Sequence, residues 1–98
     1  MEDHVIRYDA PAVLEKWPSI EAMRVRTSDY FRSAPIYNGT LAGCVREFMQ
    51  KPISQRPLYD IFTDRQPGLP GTILRANDIV EIAEREDFPQ IGARESNR

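Results

Sequence analysis

Between Asn38 and Pro52 the sequence favours one conformation over all others. Asn38-Gly39-Thr40 reads as a turn whose hydroxyl can accept from free helix amides. Leu41, Cys44, Val45, Phe48 and Met49 then recur at intervals of three and four. Lys51 puts a cation in the last turn, where it suits the helix dipole, and Pro52 stops the helix. The pattern predicts a helix over 40–51. A chain of 98 residues and 11.3 kDa has room for a single core to receive its apolar stripe.

The remaining elements follow from shorter signals. Residues 4–8, His-Val-Ile-Arg-Tyr, are β-branched and aromatic and predict a strand, with Pro11 soon after. Pro18 disfavours helix at Trp17, and Ser19 can cap a helix that begins at Ile20. Ile20, Met23, Thr27, Tyr30 and Phe31 fall at helical spacing. The run from Met23 to Thr27 also alternates like a strand, and length decides for a helix over 20–32. Residues 56–63 carry apolar groups on both faces, which predicts a central or doubly covered strand. Asp64 to Gly71 holds two prolines and two glycines and reads as a loop. Thr72-Ile73-Leu74 resumes extended structure, antiparallel to 57–63. Asn77 or Asp78 caps a last helix with Ile79, Ile82 and Ala83 inward, ended by Asp87-Phe88-Pro89. The expected order is β-α-α-β-β-α: an α+β domain over residues 1–89, with about three mainly antiparallel strands and three helices. Residues 90–98 are polar or small and are expected to be a disordered tail.

Composition narrows the class of function. Apolar residues at 41% and charged residues at 29% are those of an ordinary soluble chain. A net charge of −2 disfavours a role in coating nucleic acid or anionic lipid. No apolar run approaches the roughly 20 residues that cross a bilayer, and no leader pattern is present, so a cytoplasmic location is expected. One cysteine and one histidine exclude an internal disulfide and the usual Cys/His zinc sites.

Few residues invite chemistry. Cys44 lies near the start of helix 40–51, which favours a thiolate, yet it shares the stripe of Leu41, Val45 and Phe48, where cysteine is a small apolar filler. The only histidine, His4, could serve as its base only if the fold brings the two together. Asp60 and Asp64 could hold a hard cation, but two carboxylates without further ligands are weak, and turn capping suits Asp64 better. Asn38-Gly39-Thr40 matches a glycosylation sequon but reads better as turn and cap. Gly68-Leu69-Pro70-Gly71 lacks the Lys-Ser/Thr of a phosphate loop. No catalytic residue, metal site or cofactor is assigned, and an enzyme is not expected.

Charge distribution is more telling. Residues 1–23 carry −3, residues 24–56 carry +4 and residues 57–98 carry −3. The basic middle, with Arg24, Arg26, Arg32, Tyr37 and Arg46, is a candidate interaction surface facing acidic ends within one chain or between two. The reading that follows is a non-catalytic domain acting by protein–protein association, as a homodimer or with another protein. Two alternatives stand beside it. One is a small-molecule sensor with an apolar pocket of Met23, Phe31, Phe48, Met49 and Phe62. The other is a weak single-strand nucleic-acid binder using the arginine-rich middle. Trp17 is either a core anchor or an exposed contact.

Overall fold

Strand β1 (Pro11–Lys16) lies between β2 (Ala34–Thr40) and β3 (Tyr59–Thr63), and β4 (Ile73–Leu74) flanks β3, in a computed structural model that describes residues 5–19 and 33–89. All three pairings are antiparallel, in the order β2-β1-β3-β4. Helix α1 (Leu41–Met49), a 3-10 helix (Ile53–Leu58) and helix α2 (Ala76–Ala83) complete the described elements. The class is α+β, as expected, but the sheet has four strands rather than three and the order differs. The helix expected over 20–32 and the tail over 90–98 lie outside the described residues.

Helix α1 forms where its stripe and cap place it. Thr40 Oγ1 accepts from the Gly43 amide at 3.0 Å. The Leu41 and Ala42 amides donate to the carbonyls of Ala10 and Tyr8, each at 2.9 Å. At the other end the Arg56 guanidinium donates to Met49 O at 2.9 Å and Lys51 O at 3.3 Å. Leu41, Cys44, Val45 and Phe48 are wholly buried against Leu14, Ile61 and Leu74 of the sheet. Helix α2 packs on α1 and adds Ile79 and Ile82 to the same core. Burying an aliphatic or aromatic side chain of this size is worth about 1.5–3 kcal/mol.

Four expectations are corrected. Residues 5–7 have no regular structure and Tyr8 to Ala10 form a turn, so no strand covers the described part of 4–8. The Arg7 peptide is instead held by the buried Gln66 side chain: its N–H donates to Oε1 at 2.7 Å and its carbonyl accepts from Nε2 at 3.2 Å. The strand starts at Pro11, a position where a missing N–H is tolerated. Residues 56–58 belong to the 3-10 helix, with Pro57 inside it, and β3 begins only at Tyr59. Asn38-Gly39-Thr40 ends β2 rather than forming a turn, so strand runs directly into helix through the Thr40 cap. Helix α2 is capped at Arg75, whose N–H donates to Asp78 Oδ2 at 3.1 Å; Asp78 is inside the first turn, not at the cap.

Strand alternation gives the sheet a second face. Asn38, Val13, Phe62 and Ile73 are register neighbours across the four strands, and Glu15 is opposite Asp60. Register slips between Leu14 and Glu15, so Ile36 has no partner on β1.

Candidate functional site

Chemistry at Cys44 is closed off by its surroundings. The side chain is fully buried, with Sγ 3.9 Å from Tyr37 O, and burial pushes the thiol up to about 11. A thiol so held is protonated at neutral pH and out of reach of a substrate. His4, the base considered for it, lies outside the described residues. The three first amides of α1 are taken by Ala10, Tyr8 and Thr40, which leaves no anion seat at that helix start.

A second polar cluster fastens the amino-terminal segment to the end of α2. Tyr8 donates to Asp87 Oδ1 at 2.7 Å, and Arg85 donates to both Asp87 oxygens at 2.8 and 3.0 Å and to the Tyr8 oxygen at 3.1 Å. The Arg85 hydrogen bonds, with that of Tyr8, hold the Asp87 carboxyl down at about 2. Partial burial and the Asp87 bond raise the Tyr8 phenol. The Tyr8 ring meets Phe88 edge to face at 5.3 Å, and the Arg46 guanidinium is 5.7 Å from the Phe88 centroid. The cluster is a clamp in which Asp87 matches Arg85, while Arg46 meets the Phe88 ring and, among the described residues, its Nε is buried without a hydrogen bond.

Asp60 and Asp64 do not form a pair. Asp60 is wholly buried, accepts from Trp17 Nε1 at 3.0 Å and stands 3.8 Å from Arg75 Nε. Asp64 is exposed beyond the end of β3. Among the described residues no group of three or more His, Cys, Asp or Glu side chains is placed to hold a metal.

The other residues singled out from the sequence are dispersed. Phe48 is in the core, edge to face with Tyr59 at 6.3 Å, and Met49 packs against that core. Phe62 alternates with Ile61 and so belongs to the second face of the sheet; Met23 and Phe31 lie outside the described residues. Tyr37 is half-buried over the β2–α1 junction, Arg46 is half-buried beside Phe88, and Arg24, Arg26 and Arg32 lie outside the described residues.

The surface feature that sequence reasoning missed is a groove at the Lys16 end of β1. Its volume is about 510 Å³, and its walls are Trp17, Pro18, Ala34, Ile36 and Leu58 with Lys16 and Gln55. Trp17 is 5% exposed and its Nε1 donates to Asp60; Ile36, on the adjoining strand, is 45% exposed. Strand β2 pairs only with β1 among the described residues, and no residue of it is charged. The chain's two lysines gather nearby: Lys16 Nζ and Lys51 Nζ are 5.9 and 5.8 Å from the Tyr59 ring centroid. The signal in the sequence was Trp17-Pro18 beside an uncharged 34–40, but only the fold joins them to Leu58. No helix among the described residues is long and apolar enough to cross a membrane. Compared with protein-family models, with curated proteins and with solved structures, the chain matches none of them.

Proposed function

We propose that the protein is a non-catalytic domain that acts through protein–protein association, assembling as a homodimer across the groove beside β2. One observation carries this reading: Ile36 is exposed on β2, the uncharged edge strand among the described residues, at the wall of a groove that Trp17 also lines. Folded proteins commonly blunt a sheet edge with charge, a bulge or a proline. Here Pro35 and the slip at Leu14/Glu15 shorten any added ladder, so side-chain packing in the groove carries the contact. A second copy is the natural occupant because an apolar patch is its own complement about a twofold axis. A single cysteine kept as a buried thiol fits work in a reducing cytoplasm.

The test is light scattering on the eluting protein at tens of micromolar. A dimer mass that Ile36→Arg converts to monomer, with unchanged circular dichroism, supports the proposal. A wild-type protein that stays monomeric throughout removes it.

A further inference from the structure

Asn38-Gly39 carries a chemistry that neither its turn signal nor its sequon absorbs. Of the chain's three asparagines, Asn38, Asn77 and Asn97, only Asn38 precedes glycine. An asparagine carboxamide is open to attack by the next residue's amide nitrogen, and a glycine there has no side chain to obstruct the approach. Asn38 is exposed, so water reaches the product of that attack.

The strand explains both why the glycine is present and why the pair survives. Gly39 has no positive φ; what requires it is the Tyr37 ring, which a Cβ at this position would meet at 3.0 Å. The Leu41 N–H donates to Ala10 O, and hydrogen-bonded pairs alternate along an antiparallel ladder. Two residues back along β2, Gly39 stands opposite Ala12 in the same register, so its N–H is turned to β1 and donates to Ala12 O. The extended backbone at residue 38 also holds that nitrogen out of line with the side-chain carbon. Attack must therefore wait until this end of β2 parts from β1. None of the seven residues of β2 is buried, and a segment with so little burial opens locally at small cost.

We propose that Asn38 is a self-modifying residue whose conversion is gated by release of β2 from β1. In the opened strand the Gly39 nitrogen gives up its proton to solvent and bonds to Asn38 Cγ. The carboxamide C–N bond breaks and ammonia leaves. Water then opens the succinimide ring at either carbonyl. One opening gives aspartate; the other gives isoaspartate, in which the main chain runs through the former side chain. The net change is one water consumed and one ammonia released. Either product sets a carboxylate on a strand that carries no charge. Isoaspartate also lengthens the main chain by one methylene just ahead of the Gly39–Ala12 pair and the Thr40 cap, so ladder and cap no longer meet their partners together. The proposal does not depend on self-association.

Peptide mapping by mass spectrometry tests it on the whole chain, incubated at mildly alkaline pH with and without denaturant. In denaturant Asn38 converts ahead of Asn77 and Asn97. In the native protein it converts about ten- to a thousandfold more slowly, in proportion to the small fraction of open strand. Thr40→Ala, which removes the acceptor of the Gly43 amide, raises the native rate several-fold. Asn38→Gln, at an exposed position, suppresses conversion and leaves circular dichroism unchanged. Native and denatured rates that coincide, or a Thr40→Ala rate equal to wild type, overturn the gating. An Asn38 that stays intact in the native protein beyond roughly a thousand denatured half-times overturns the opening. An Asn38 no faster than Asn77 in denaturant overturns the site itself. The wild-type comparisons need no variant to fold.

Discussion

Tyr37 lies across Gly43: a Cβ built on that glycine would stand 2.7 Å from the phenolic oxygen and 3.0 Å from the ring edge. The same ring is 3.0 Å from a Cβ built on Gly39. The tyrosine of β2 is thereby laid over the start of α1, and the two glycines are what let it lie there.

Gly43→Ala accordingly brings two opposed effects. Alanine gains about 1 kcal/mol of helix propensity over glycine, whereas overpacking of this kind costs about 1–3 kcal/mol. The expected net result is destabilisation, read as a lower urea midpoint. In a Tyr37→Ala background the clash is gone, and Gly43→Ala becomes stabilising by about 1 kcal/mol. An unchanged sign in both backgrounds would show that the contact carries no weight.

The buried thiol makes a prediction about reactivity. With Cys44 held at about 11, the native protein at pH 8 should alkylate at least about a hundredfold more slowly than the chain in denaturant. Mass spectrometry on samples quenched over time gives both rates. Rapid modification of the folded chain would mean that the α1 face opens readily.

The Asp87 clamp makes a prediction about acid. Its carboxyl is depressed to about 2 in the folded protein against an ordinary value near 3.9, so its stabilising contribution is complete above the higher value and is lost as pH falls through the lower. Both partners are about two-fifths exposed, which keeps the effect small. Carbon-detected NMR should find Asp87 titrating well below the ordinary aspartate value, and Asp87→Asn should flatten the decline in stability over this interval. An Asp87 that titrates at the ordinary aspartate value would place the clamp outside the solution ensemble.

What could be read from the chain depended on how local its cause was. The α1 stripe, its Thr40 cap and its Pro52 stop all sit within thirteen residues, and the helix appears as expected. The pairing of β3 with β4 followed from their being consecutive extended segments separated by a Pro- and Gly-rich loop. Residues 5–10 misled because Ile6 and Tyr8 serve the core, Val5 is exposed, and the peptides serve distant partners, Gln66 and the amides of Leu41 and Ala42. Strand β2 was hidden by Asn38 and Gly39, which ordinarily announce a turn but here give Tyr37 room. The groove was invisible for the same reason: Trp17, Ile36 and Leu58 are far apart in sequence, and only the pairings of β1 bring them to one place.

The two carbonyls that close the start of α1 come from Tyr8 and Ala10, more than thirty residues upstream. A helix of nine residues is too short to persist alone in water. The most legible stretch of this sequence is therefore not an autonomous nucleus. Excised as a peptide beginning at Ser33 it should be largely coil, and in the whole chain its winding depends on the pairing of β2 with β1, which brings Tyr8 and Ala10 to its start.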